Sequence, residues 1–371
     1  MLRFLTAGES HGPCLTAIVE GLPAGLPLEP GDVDAELARR QAGYGRGDRQ
    51  KIERDAVRLL AGLHAGHTIG APLAMLIANR DYENWRERVE PAWTRPRPGH
   101  AELAGATKYG LDDLRLVAER ASARTTAAQV AVGAVAKVLL REVGVRVSSY
   151  VQSIGDVTAD VAGLDLRERL RRAADSDVSC PDPAAAAAMR QAIDAAREAG
   201  ESLGGIIVLV ALGLPVGLGS HAHWDRRLDG RLAQAVMGIQ AIKGVEVGPA
   251  FENATLPGTR VHDALYPDAG GRPARRTNRA GGLEGGMTNG EPLVLRAAMK
   301  PIPTTVSPLP TVDLATGEAT ETQYQRSDVC AVPAAAIVGE AMVAWVLAQA
   351  LLERYGGDTL DDLVRRVEGD R

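Results

Sequence analysis

Aromatic residues are scarce in this chain: 4% of 371 positions, with two Phe, four Trp and seven Tyr. So thin a supply leaves few platforms on which nucleic-acid bases could stack. An excess of positive charge is also missing, since 42 Lys and Arg stand against 47 Asp and Glu, for a net charge of −5. A dedicated nucleic-acid binder is normally basic, so any anion site here has to be local. Cysteine is limited to Cys14, Cys180 and Cys330, an odd number, far apart, with no CxxC pair. That excludes a disulfide framework and a zinc knuckle and fits a reducing compartment. The N-terminus, MLRFLTAGESHG, has no apolar run of the kind a secretory signal carries. Late in the chain the longest apolar stretch is interrupted by Glu340 and Gln349, so no run reaches the roughly 20 residues a membrane helix needs. A cytoplasmic protein is expected. What is present, 45% hydrophobic and 24% charged residues, is ordinary for a globular chain with a sizeable core, and excludes a disordered chain, a coiled coil or a collagen.

Length alone allows roughly two or three domains at about 150 residues each, but internal similarity argues for one. Gly21-Leu22-Pro23-Ala24-Gly25-Leu26 is matched by Gly213-Leu214-Pro215-Val216-Gly217-Leu218, each after a β-branched run. GLHAGHTIGAPL (62–73) is matched by GLEGGMTNGEPL (282–293), with seven of twelve positions identical. Arg120 and the helix containing Val132-Gly133 have counterparts in Arg326 and the helix containing Val338-Gly339. The three matches run in the same order, which points to a tandem duplication: halves of about 1–145 and 205–371, joined by a connector, 146–204. Two such copies packed about a pseudo-twofold axis would form one domain over 1–371.

Local signals agree. Asp32 is expected to start a helix near Val33, ended by Gly43. Residues 124–143 form an alanine-rich helix stopped by Gly144, apolar nearly all round and therefore buried. Pro183 and Gly200 bracket another helix, and Pro333 opens one that ends at Gly356. Two central helices with sheet around them suggest helices sandwiched between sheets, an α+β fold. No strand-turn-helix unit carries GxGxxG, which argues against a dinucleotide fold.

Chemistry concentrates in a few places. Gly8-Glu9-Ser10-His11-Gly12 matches the G-x-S-x-G of hydrolase nucleophile elbows, but a strand, not a helix, is expected after Pro13. A Ser-His pair there suits proton relay and phosphate contact better. Arg39, Arg40, Arg46 and Arg49 crowd a glycine-punctuated loop suited to an anionic partner. A second loop, with Arg272, Arg275, Arg276 and Arg279 before Gly281-Gly282, suggests a backbone anion cradle. His11 and His100 are the acid–base candidates, and a bound phosphate would favour their protonated forms. His64 and His67 are replaced by Glu284 and Met287 in the second copy and are read as structural. His221-Ala222-His223 has no third ligand nearby, so no metal is expected. The residues alone describe an enzyme acting on a small, multiply anionic molecule.

Eight segments in one order carry a resemblance over nearly the whole chain: GESHG (8–12), the Arg-rich loop (39–49), RPGHAE (97–102), ERASART (119–125), GIQAIKGVEVG (238–248), AGGLEGG (280–286), KPIPT (300–304) and QRSDVCAVPAAAIVGEAMVA (325–344). The chain resembles the chorismate synthase family. That resemblance implies a carbon–oxygen lyase that converts 5-enolpyruvylshikimate 3-phosphate to chorismate and phosphate, the last step of the shikimate pathway toward aromatic amino acids. The reaction is a 1,4-anti elimination that requires reduced FMN without net redox. It implies a single domain of helices sandwiched between two antiparallel sheets, and a homotetramer.

Carried over residue by residue, the resemblance gives His11 protonation of the leaving phosphate, with Ser10 as a relay. His100 would meet the flavin's pyrimidine edge, and Asp328 would accept a proton near flavin N5. Arg40 and Arg46 match substrate-phosphate positions, or positions for NADPH as reductant, with Arg49 and Arg124 beside them. Flavin contacts fall on Arg120, Ala121, Ser122, Gln240, Ala241, Gly285, Lys300, Pro301, Ile302, Pro303, Thr304 and Arg326. The chain departs from the family's usual pattern at Glu102, Thr125 and Gln129. A separate flavin reductase is a further partner the resemblance allows, while neither nucleic acid nor membrane is implied. A redox flavoenzyme on a small anionic substrate and an RNA-binding protein stay open as alternatives.

Overall fold

Alternating apolar residues build the first sheet. The computed structural model describes residues 1–47, 54–88 and 90–370. In it β1 (Arg3–Ala7), β2 (Cys14–Glu20), β3 (Val57–Ala61) and β4 (Leu73–Ala78) pair antiparallel in the order β1-β2-β4-β3. Leu15, Ala17 and Val19 of β2 and Leu73, Met75 and Ile77 of β4 are buried, the period of two expected where one face is packed. Helix α1 (Pro30–Gln41) starts earlier than the sequence suggested. Pro30 fits the first turn, and Asp32 is the third helical residue of a capping box, accepting the Glu29 N–H at 3.0 Å.

Further along come α2 (Glu102–Tyr109), α3 (Leu114–Ala121), α4 (Thr126–Glu142), α5 (Pro183–Glu198), α6 (Leu228–Met237) and α7 (Val332–Tyr355). α4 and α7 are hydrophobic nearly all round and buried, as such helices must be. They touch at Gly133, where a Cβ would stand 2.2 Å from the Ala341 Cβ, so only glycine allows this approach. α4 also packs on β1, β2 and β4, and α7 on the second sheet. α7 is long and apolar enough to cross a membrane, contrary to the reading from its interruptions, but 89% of its apolar window is buried inside the protein. Glu340 within it is fully buried and paired with Arg39 and Lys137.

The second sheet contains β5 (Arg146–Ile154), β6 (Val157–Thr158), β7 (Gly205–Leu212), β8 (Ile242–Val247) and β9 (Leu293–Met299), all antiparallel, in the order β8-β9-β7-β5-β6. The expected connector 146–204 therefore opens with a full strand of this sheet. Hydrogen bonds from β5 to β7 decide its place, and these are invisible to local pattern. One continuous apolar core runs through both sheets and both central helices, in a mixed helix-and-sheet domain.

Candidate active site

β1 and β2 are joined by the GESHG turn, so a strand follows the serine and no nucleophile elbow forms. Gly8 has φ +110°, and a Cβ there would meet the Cys14 carbonyl oxygen at 2.4 Å. The turn is held from three sides. Asn79 Nδ2 donates to the carbonyls of Glu9 (3.0 Å) and Gly12 (2.7 Å). Arg120 donates to the carbonyls of Gly8 and Thr6. Glu119 accepts the His11 backbone N–H at 2.6 Å on one oxygen and lies 2.6 Å from His11 Nδ1 with the other. Ser10 is buried and accepts a hydrogen bond from the Ser122 hydroxyl at 3.1 Å. The Trp85 ring lies against the His11 imidazole, 4.2 Å between centroids.

Ser10, His11, Trp85, Glu119 and Ser122 line a cavity of about 1320 Å³. A second wall holds His100. Glu102, almost fully buried, takes the Arg97 backbone N–H at 2.8 Å and its guanidinium Nε at 2.9 Å, and lies 3.4 Å from His100 Nδ1 without forming a hydrogen bond to it. Lys300 Nζ reaches the Gly99 carbonyl at 3.0 Å. Burial first, then the charges of Arg97 and Lys300, lower the His100 pKa to about 4, against the pull of Glu102. The sequence ties protonation of this histidine to a bound phosphate. Burial and the charges of Arg97 and Lys300 outweigh Glu102, so the protein alone keeps it neutral at pH 7.

A third wall is cationic. Asp55 accepts from Arg40 Nη2 at 2.7 Å with one oxygen and from Arg124 Nη1 at 2.6 Å with the other. Arg46 donates to Asp328 at 2.6 Å, and the Gly47 N–H donates to the second Asp328 oxygen at 2.7 Å. Among the described residues, Arg40, Arg46 and Arg124 thus meet the carboxylates of Asp55 and Asp328. Burial, with Arg46 and Arg124 pressing nearby and Asp55 opposing, pushes Arg40 down to about 10. The Nε atoms of Arg40 and Arg46 are buried and have no hydrogen-bond partner, which leaves donors for an anion. Arg39 turns away to Glu36 and Glu340, and Arg49 lies outside the described residues. The inward turn of Arg40 and Arg46 removes the main feature of an RNA-binding loop.

Ala121, Ser122, Gln240, Ala241, Lys300, Ile302, Pro303, Thr304 and Arg326 also line the cavity, whereas Arg120, Gly285 and Pro301 do not. Gly285 sits in the turn between Leu283–Glu284 and Met287–Thr288. Ala241 has φ +66°, a strained conformation for a residue with a side chain, and Gln240 Oε1 is buried without a partner. The second arginine loop is no anion cradle. Arg272, Arg275 and Arg279 pair with Asp268, Glu284 and Glu252, and Gly281 and Gly282 serve close packing against Gly248 and Leu293. Among the described residues no three His, Cys, Asp or Glu cluster as metal ligands, and His223 meets Asp225.

Sequence reasoning missed Asp55, Asp81, Trp85 and Glu119. Asp81 accepts from Arg326 at 2.8 Å and from Trp85 Nε1 at 3.2 Å, and so ties a cavity arginine to the ring covering His11. Glu119 opens the ERASART segment, in which the resemblance assigns roles to Arg120, Ala121 and Ser122 but none to Glu119. Few as the aromatics are, Trp85, Trp93 and Tyr324 all line this one cavity.

The sequence profile of the chorismate synthase family matches residues 2–352. The chain is 56% identical to the chorismate synthase of Moorella thermoacetica over 384 aligned positions, which cover 100% of this chain and 98% of that protein. It is 56% identical to that of Anaeromyxobacter dehalogenans over 375 positions, covering 99% and 98%. A crystal structure of chorismate synthase superposes with a TM-score of 0.82 at 44% identity, covering 99% of this chain and 96% of that one. A whole-length match in sequence and fold places the chain in the chorismate synthase family.

Proposed function

We infer that this chain, a carbon–oxygen lyase, eliminates phosphate from 5-enolpyruvylshikimate 3-phosphate to give chorismate in the cavity between His11, His100 and Asp328. The observation that carries this assignment is the meeting of those three side chains with Arg40, Arg46 and Arg124 in one cavity. Arg40 lies too deep for a bulky ligand, being 4% exposed, which favours a small phosphorylated substrate over NADPH at this wall. The guanidiniums bind the substrate's phosphate. His11 gives a proton at Nε2 to the departing phosphate oxygen as the carbon–oxygen bond breaks, because Glu119 occupies Nδ1. Ser10 and Ser122 hold that turn in register. Asp328 accepts the proton lost from the substrate's ring, after the substrate competes for Arg46.

Reduced FMN supplies the electron density that helps an allylic phosphate leave while a weakly acidic C–H is broken. The residues fit such a group. His100, Lys300 and the unpartnered Gln240 Oε1 offer polar contacts beside the strained Ala241. An anionic ligand there would bring His100 toward its charged form. Phosphate release from the substrate under anaerobic conditions, with dithionite-reduced FMN and with oxidised FMN as control, tests the assignment. Chorismate should appear with phosphate only when the flavin is reduced; release with neither form, from folded protein, would overturn it.

The duplicated architecture belongs to the same reading. Sheet orders β1-β2-β4-β3 and β5-β7-β9-β8 correspond strand for strand. The two matched segments meet in the same way in each half: Thr68 Oγ1 donates to the Pro23 carbonyl at 2.6 Å and accepts the Leu26 N–H at 2.9 Å, while Thr288 Oγ1 donates to Pro215 at 2.6 Å and accepts from Leu218 at 2.8 Å. These support two copies sharing one core over 1–371, α4 and α7 lying between the sheets, with the second copy beginning at β5 and not at 205. Leu5, Ile18 and Leu60 lie exposed on the first sheet, an apolar patch in keeping with a homotetramer. A cytoplasmic enzyme, supplied with reduced flavin through NADPH or a separate reductase, completes the reading. Sedimentation equilibrium tests the tetramer.

A further inference from the structure

Glu119 is the only acidic residue of α3 and lies in its last turn, where the helix dipole disfavours a carboxylate. His11 meets both of its oxygens, with the backbone N–H at 2.6 Å on one and ring Nδ1 at 2.6 Å on the other. The Glu119 carbonyl takes the Ser10 N–H at 3.1 Å, so side chain and backbone of one residue hold both members of the Ser-His pair. Both side chains are largely shielded from water, the imidazole 22% and the carboxylate 15% exposed, and Trp85 covers a face of the ring. A charge-assisted bond in such a setting is short, and stronger than one in water.

We propose that Glu119 is the positioning residue of His11: it holds the ring with Nδ1–H toward the carboxylate, aims Nε2 at the cavity, and stabilises the charged imidazole that donates to the leaving phosphate. The proposal rests on His11 being that donor. In the step itself the proton passes from Nε2 to a phosphate oxygen, the electron pair of the broken carbon–oxygen bond leaves with that oxygen, and the ring ends neutral with Nδ1–H still on Glu119. A carboxylate behind an imidazole serves in this way wherever one ring nitrogen must be fixed so the other can act. The sequence places Glu119 108 positions from His11, so only the docking of α3 on the GESHG turn creates the pair.

The test compares Glu119→Ala, Glu119→Gln and His11→Ala with the unaltered full-length enzyme, in steady-state kinetics with reduced FMN and in thermal unfolding. In E119A kcat is expected to fall about 10²-fold while KM changes by less than about threefold. Formate, small enough to fill the space left by the carboxylate, should recover about tenfold of that loss in E119A and none in H11A. Unaltered kcat in E119A, or a loss that formate does not relieve, would reduce Glu119 to a staple for the turn and overturn the proposal. If E119A does not fold, E119Q decides: the shape is kept and the charge removed, so kcat should fall at an unchanged unfolding temperature, and full kcat overturns the proposal. Full activity in H11A is a different result, which removes the donor assignment itself.

Discussion

Arg46 donates to Asp328 at 2.6 Å, so the cation assigned to substrate phosphate and the carboxylate assigned to proton acceptance are partners before any ligand arrives. Phosphate bound at Arg46 would compete for that guanidinium and release Asp328 for its own task. Asp328→Asn and Asp328→Ala should therefore separate binding from turnover. Turnover is expected to drop by about 10²–10⁴-fold, while inorganic phosphate binds more tightly because Arg46 has lost its internal anion. Steady-state kinetics and calorimetric titration with phosphate measure the two effects. Full activity in D328A would take Asp328 out of the mechanism.

Asp55 joins Arg40 and Arg124 with a carboxylate that is completely buried. Removing its charge takes from both guanidiniums the anion they share. Breaking such a buried pair costs about 3–5 kcal/mol. Asp55→Asn should thus lower the unfolding temperature, and inorganic phosphate should restore more of it in the variant than in the unaltered protein. Equal stabilisation of both by phosphate would show that the anion binds elsewhere.

What could be read ahead of the structure was local. A helix near Asp32, though not its exact start, the all-apolar character of α4 and α7, and the glycine turns are written in neighbouring residues, and so are the GLPxGL segments. The motif residues His11, His100, Arg40, Arg46 and Asp328 were legible too, and they meet in one cavity. Long-range pairing was not legible. Nothing in the local pattern of 146–154 says that it pairs with β7, or that Arg275 and Arg279 would find Glu284 and Glu252 instead of an anion. Asp55 and Glu119 were overlooked for the same reason: a carboxylate acquires its role from the cation or ring that the fold brings to it.

Glu340 is held in its charged form by Lys137 and Arg39, which bring it down to about 2 against burial that would raise it. Its unfolded value is 4.5, so the stability it contributes is whole above that pH and fades as pH falls toward about 2. Over that window the loss is on the order of 3 kcal/mol. Urea unfolding between neutral and acid pH should show this slope, and Glu340→Gln should be less stable at pH 7 but flatter with pH. An equal slope in E340Q would place the acid sensitivity on other carboxylates.

His100 provides the reverse case. Its pKa is lowered from 6.5 to about 4, so between those values the folded protein holds fewer protons at this site than the unfolded chain. Stability from this group is therefore present above 6.5 and lost as pH falls toward 4. An anion bound beside Arg97 and Lys300 would cancel part of their repulsion and draw a proton onto the ring. Binding of FMN at pH 6 should then take up protons, seen as a heat of binding that varies with the ionisation enthalpy of the buffer. Glu102→Gln removes the one carboxylate that favours the charged ring and should weaken this uptake, and His100→Gln should abolish it. Proton uptake unchanged in H100Q would assign it to another group and leave His100 a neutral hydrogen-bonding wall.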